Sequence, residues 1–143
     1  MKCELHIDKN TDEKVLIYAH EQNKSVDEIK SFVENQDIEI IGYKDNKVEK
    51  LNPNNVICFI VEDSKIFAIT DNEKLRVKLR LYVLEEMLGE SFIKINQSCI
   101  ANISKIKKFD STISGTLTVI FKNGYKDYVS RRNIKSIKER LGL

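Results

Sequence analysis

The sequence predicts a mainly β domain of the α+β class, and three features carry that expectation. From Lys44 onward, short stretches rich in β-branched and aromatic residues follow one another closely. Asp-Asn, Asp-Ser and Asn-Gly pairs punctuate them, and these residue types supply tight turns. Helical periodicity is confined to three separate stretches, so strands do not alternate with helices as a βαβ fold would require.

Along the chain, Lys2–Ile7 and Lys14–Ala19 read as two short strands, the first alternating through Cys3, Leu5 and Ile7. SVDEIKSFVENQ follows as a helix. Ser25 is its expected N-cap, with Glu28 three residues on in a capping-box arrangement, and Val26, Ile29, Phe32 and Val33 share one face. Ile38–Tyr43 returns to a strand pattern. Residues 1–43 therefore form a small β-β-α-β segment that must pack against something else, and residues 44–143 form the larger domain. In that domain KDNKVEKLN, VICFIVEDS, KIFAITDN and EKLRVKL are strands. LRLYVLEEML is a helix with Leu81, Leu84 and Leu88 on one stripe, and Gly89 ends it. SFIKI, IKKFD and TLTVIFK are strands again, and Asn123-Gly124 turns the chain into YKDYV. A last helix presents Ile134, Ile137 and Leu141 to the core.

The composition bounds the function. The chain has 143 residues, 41% apolar and 32% charged, enough for one domain with a real core. A single proline and five glycines leave no flexible linker. No apolar run approaches the roughly 20 residues that span a bilayer, and MKCELHIDKN lacks the apolar core of a signal peptide. A cytoplasmic protein is expected. Cys3, Cys58 and Cys99 are three in number and far apart, which suits reduced thiols, mostly buried, better than a disulfide or a metal site. His6 and His20 have no second ligand type at metal spacing.

The formal charge of +2 conceals a gradient. Met1 to Glu90 carries 13 Lys/Arg against 19 Asp/Glu, whereas Ser91 to Leu143 carries 11 against 3. The last third alone has a positive field of the kind that draws polyanions, although a charge run is also the ordinary dress of a solvated face.

Enzyme chemistry finds little support. There is no GxGxxG or GxxxxGK[ST] phosphate loop, no credible Ser/His/Asp or Cys/His set, and both histidines lie near the N-terminus. The acid pairs Glu62-Asp63 and Glu85-Glu86 suit a strand end and an exposed helix face better than general acid–base work. No cofactor, metal or small-molecule substrate is expected. Helix-turn-helix and zinc-finger signatures are also missing, so any DNA contact would fall to strands and loops. In FIKINQSCIANISKI, Asn96, Gln97, Ser98 and Asn102 interrupt an apolar series. Amides suit adenine edges and serine suits a phosphate. The same residues equally serve to turn and cap the backbone.

FIKINQSCIANISKIKKFD, then SGTLTVIFKNG, then YVSRRNIKSIK, in this order and spacing, resemble the LytTR family of bacterial DNA-binding domains. LRLYVLEEML and VICFIVEDSKIFAITDN also stand where that family has its helix and first strands. The resemblance runs from about Lys44 to Leu143. It implies an elongated β fold of small sheets with short helices, whose loops enter successive major grooves from one face of double-stranded DNA.

By motif position, the resemblance implies base contacts from Lys65, Asn96, Gln97 and Arg132. Backbone contacts would come from Ser64, Lys94, Ser98, Asn102, Lys105, Ser130, Arg131, Asn133 and Lys135. Two departures matter. Some members have a histidine in the first loop where this chain has Ser64 followed by Lys65, which could reach a guanine or only a phosphate. Gln97 stands where an asparagine occurs elsewhere, keeping the amide with one more methylene. Ser130 is expected to cap the final helix, whose exposed amides would favour a phosphate.

Residues 1–43 are too few for a phosphoacceptor receiver domain, so the resemblance implies a stand-alone transcription regulator. The acidic N-terminal segment would support a homodimer matched to paired half-sites on DNA, or serve only as a structural flank. Some stand-alone members work with a membrane-protein partner. A protein-interaction module, binding an acidic partner through its basic face and strand edges, is the alternative from another class. Non-specific RNA binding by the same face is a third.

Overall fold

The computed structural model describes all residues 1–143, and its ten strands make the chain mainly β. The strands are β1 (Ile40–Lys44), β2 (Lys47–Leu51), β3 (Cys58–Glu62), β4 (Lys65–Ile69), β5 (Lys74–Val77), β6 (Phe92–Asn96), β7 (Cys99–Asn102), β8 (Ile106–Ser111), β9 (Leu117–Phe121) and β10 (Lys126–Val129). Three helices accompany them: α1 (Lys24–Glu34), α2 (Leu81–Leu88) and α3 (Arg131–Leu141). Seven strands form one antiparallel sheet in the order β2-β1-β5-β4-β3-β7-β6, and three form a second in the order β10-β9-β8.

Tight turns set the registers. Asp45, at φ +53°, turns β1 into β2 with Lys44 opposite Lys47. Asp63 and Ser64, at φ +52° and +62°, turn β3 into β4 with Glu62 opposite Lys65. Two successive left-handed residues match the right-handed twist of a hairpin, but each non-glycine residue there costs about 1–2 kcal/mol. The Asn123-Gly124 signal marks a real hairpin. Its loop has three residues, because Phe121 N–H donates to the Tyr125 carbonyl at 2.9 Å and Gly124 takes φ +91°.

The large sheet is covered on both faces, since alternate residues of β3 enter opposite cores. Cys58 and Ile60 join Ile69, Ile95 and Cys99, which pack on Val119, Phe121 and Val129 of the small sheet and on Ile137 of α3. Phe59 joins Ala68, Leu75 and Ile100, which pack on Leu84 and Leu88 of α2. The expected stripe of α2 is thus the buried one, with Leu81 half-buried at its edge. Ile134 and Leu141 flank Ile137 against the first core, also as expected.

The N-terminal region departs from expectation. No strand forms in residues 1–23; Lys2–Ile7 and Lys14–Ala19 are without helix or strand, exposed apart from half-buried Ile17, and unpaired. Strand propensity there is real, but a strand needs a ladder partner, and these segments pair with none of the sheet edges. α1 begins at Lys24 and is capped by Asn23, whose Oδ1 accepts from Val26 N–H at 3.1 Å, so Ser25 lies inside the helix. Glu28 turns to Lys24 at 3.9 Å instead of reaching back to Ser25. The helix buries no residue, and Phe32 is 55% exposed. Polar contacts hold this region: buried Asn35, just after the helix, donates to Ser91 Oγ at 3.0 Å and to Asn54 Oδ1 at 3.2 Å. The boundary expected between residues 43 and 44 falls inside β1, which pairs with both β2 and β5.

Gly42 in β1 leaves no free room for a side chain. A Cβ there would stand 2.9 Å from Leu51 Cδ1 and 3.1 Å from Leu75 Cβ. Gly42→Ala is expected to destabilise the protein by about 1–3 kcal/mol through overpacking. A urea midpoint equal to that of the unsubstituted protein would show that the β1–β2 hairpin shifts freely instead.

Candidate nucleic-acid interface

Three loops meet at one end of the large sheet, and hydrogen bonds between them can be followed one by one. The β6–β7 turn, Gln97-Ser98, lies beside the end of β3, where Val61 N–H donates to the Ser98 carbonyl at 2.8 Å. That strand end leads directly into the Asp63-Ser64 turn and Lys65. On the other side, Ser130 N–H donates to the Ile95 carbonyl at 2.9 Å, which seats the start of α3 on the end of β6.

Asn96 joins the second and third of these loops. Its Nδ2 donates to Tyr128 O at 2.9 Å and to Asp127 Oδ1 at 3.1 Å, while its Oδ1 accepts from Ser98 N–H at 2.8 Å. The residue is 1% exposed. With every amide hydrogen and the oxygen engaged inside the protein, Asn96 shapes the β6–β7 turn and is not free for the base contact expected of it. Asn102 is likewise buried: its Nδ2 donates to Val56 O at 2.8 Å, and its Oδ1 accepts from Ser104 N–H at 3.1 Å. The expected backbone contact from its side chain gives way to a structural cap between β7 and β8.

The remaining expected residues divide by place. Ser64, Lys65, Gln97, Ser98, Arg131, Arg132 and Lys135 are exposed at the loop cluster. Lys65, Arg131, Arg132 and Lys135 have no carboxylate within ion-pair distance, so their charge is available to a ligand. Lys94 lies midway along β6, paired with Glu85 at 3.7 Å. Lys105 is bonded through its carbonyl to Lys122 N–H at 2.9 Å, at the end of the small sheet opposite Ser130. Neither Lys94 nor Lys105 joins the cluster.

Ser130 occupies the N-cap position of α3, but its hydroxyl does not cap the helix amides. It accepts instead from Asn133 Nδ2 at 2.8 Å, and Asn133 N–H donates to the Ser130 carbonyl at 2.9 Å. The expected side-chain cap is therefore replaced by a closed Ser130–Asn133 unit. The amides of Arg131 and Arg132 in the first turn keep no acceptor within the helix, a favourable setting for an anion.

Asp127 is the residue that sequence reasoning passed over. It is the lone acid between Asp110 and Glu139, and its carboxylate accepts from Asn96. Behind the cluster, Tyr125 packs on Phe121, and burial, reinforced by the nearby Asp127 carboxylate, pushes its phenol up to about 12. Cys99 is pushed up as well, by its hydrogen bond with Cys58 and by burial, which leaves a neutral, inert thiol.

Asn96→Ala is expected to cost about 1–3 kcal/mol of stability, because it strands buried partners on Asp127, Tyr128 and Ser98. The same substitution loosens the Gln97-Ser98 turn. An Asn96→Ala protein with an unchanged urea midpoint would contradict this joining role.

Comparison with known proteins gives the family and the fold. The LytTR model, described as the LytTr DNA-binding domain, matches residues 46–142. Relatives from Staphylococcus aureus strains NCTC 8325 and COL are 38% identical over 146 aligned residues, covering 100% of this chain and 99% of theirs. Both are named as uncharacterized HTH-type transcriptional regulators. A solved LytTr DNA-binding domain from Bacillus cereus superposes with a TM-score of 0.69 at 21% identity, over 73% of this chain and 97% of its own. The large two-sheet fold, with no helix-turn-helix pair, is thus shared with a solved LytTr domain. The chain belongs to the LytTR family of DNA-binding domains.

Proposed function

We propose that the protein is a stand-alone transcription regulator that binds double-stranded DNA in a sequence-specific way, reading major grooves through loops. The observation that carries this reading is the loop cluster. The turns at Asp63-Ser64 and Gln97-Ser98 and the start of α3 share one end of the sheet, with Lys65, Arg131, Arg132 and Lys135 unpaired there. The names of the Staphylococcus relatives support the regulatory part. No helix is long and apolar enough to cross a membrane, and we place the protein's action in the cytoplasm with the chromosome. Two copies on paired half-sites complete the proposal.

Roles divide by chemistry. Arg132 is assigned to a guanine O6/N7 edge and Gln97 to an adenine edge, because forked donors and amides make bidentate contacts there. Lys65 is assigned to a base edge or a phosphate beside it. Arg131, Lys135, Ser64 and Ser98 are assigned to phosphates, together with the open amides of α3.

The test begins with selection from a random duplex library at about 150 mM salt, where weak electrostatic binding is already well screened. On the enriched duplex, Arg132→Ala is expected to cost about 1–3 kcal/mol of discrimination between matched and scrambled sites. Lys135→Ala should weaken both alike and reduce the salt slope by about 1. Equal effects of the two substitutions on both duplexes would overturn the division. Failure to enrich any motif would overturn sequence-specific reading itself and favour an acidic protein partner.

A further inference from the structure

Residues 1–23 form an exposed arm that the DNA-reading end does not use. Met1, Leu5 and Ile7 are 88%, 84% and 87% exposed, and Val15, Leu16 and Tyr18 are exposed as well. Neither Lys2–Ile7 nor Lys14–Ala19 forms a helix or finds a ladder partner in the chain. The bend between them is built. Asp8 accepts from Asn10 N–H and from Thr11 Oγ1, both at 3.0 Å, and these bonds hold its carboxyl below the usual carboxylate range. The Staphylococcus relatives align across the whole of this chain, arm included. An exposed segment with strand-like alternation and no ladder partner is a template for strand addition.

The pattern of the first segment selects its partner. Cys3, Leu5 and Ile7 lie on one side of an extended strand, and Lys2, Glu4, His6 and Asp8 on the other. Let a second copy run antiparallel with the two Leu5 residues face to face. Cys3 then lies opposite Ile7, and an apolar row forms on one side. On the other side Lys2 meets Asp8 and Glu4 meets His6, so every charged contact joins opposite signs or an acid with an imidazole. Moving the register by one residue sets Lys2 against Ile7 and Glu4 against Leu5, losing both rows. Charge and hydropathy therefore agree on one two-fold arrangement.

We propose that Lys2–Asp8 pairs antiparallel with the same segment of a second copy, with Leu5 on the two-fold axis. This surface supplies the contact for the two-copy arrangement proposed above and deepens that reading. Its test needs no DNA, so the pairing and the DNA reading fail separately. The arm carries none of the buried core, so substitutions in it leave the folded domain intact as an internal control.

Sedimentation of the full chain at tens of micromolar is expected to show a dimer. Leu5→Lys places two ammonium groups together on the axis and is expected to weaken the dimer by about tenfold or more, since like charges directly opposite oppose pairing. Leu5→Cys in a Cys3→Ser background is expected to give a covalent dimer on mild oxidation, because facing residues of an antiparallel pair stand about 4.5–5.5 Å apart, within disulfide reach. The two native Cys3 residues would be offset by four positions, roughly 13–14 Å, and should not cross-link. A monomer at every concentration would overturn the proposal. So would a dimer indifferent to Leu5→Lys, or an unsubstituted chain that cross-links through Cys3 as readily as the Leu5→Cys variant does through its new thiol.

Discussion

The shape of the loop cluster proposed to face DNA depends on one side chain, Asn96. Its amide bonds to Ser98 N–H, Tyr128 O and Asp127 Oδ1, and so fastens a turn of the large sheet to the last strand of the small one. Without that link the two sheets would still share a core through Phe121 and Val129. The position of Gln97 relative to Arg132, however, would lose its fixed reference. Buried polar groups are costly unless fully satisfied, and Asn96 meets that condition with all its hydrogen-bonding capacity used. Asp127 and Asn133 extend the same arrangement, the first by orienting Asn96 and the second by closing the start of α3 onto Ser130.

This arrangement separates residues that hold a loop from residues that present chemistry. The holding residues are neutral amides and one acid, set inward. The presenting residues are cations and an amide, set outward on backbone that cannot drift. The left-handed turn at Asp63 and Ser64 fits the same logic: backbone of raised energy is retained where the chain turns into Lys65 at the start of β4. The charge gradient along the sequence has a spatial meaning only in part. Arg131, Arg132 and Lys135 gather at the loop cluster, whereas Lys105 and Lys122 lie at the other end of the small sheet.

Much of the fold was legible because it rests on local patterns. The β-branched runs around Phe59 and Val119, the leucine stripe of α2 and the Asn123-Gly124 turn each announce their own structure. The order of motifs pointed to the family, since that order survives where single residues vary. Other features were hidden for physical reasons. Asn96 in a polar run looks the same whether it faces water or the interior, and its partner Asp127 lies 31 residues away. Phe32 sits on an apolar helix face, but no element of the chain comes to cover it. The place of Lys105 follows from sheet register, which the sequence does not display directly. The arm of residues 1–23 reads as strands because its propensity is that of strands; what it lacks is a ladder partner within the same chain.

The central claim is that a single end of the molecule, built from three loops, meets DNA. The most direct measurement is a backbone amide chemical-shift titration of the protein with a selected duplex. The account predicts that the largest changes fall together on Ser64 and Lys65, on Gln97 and Ser98, and on Arg131 to Lys135, with Lys107 and Lys122 little affected. Changes concentrated instead around Lys105, Lys107 and Lys122 would contradict it, and would place the DNA at the opposite end of the small sheet.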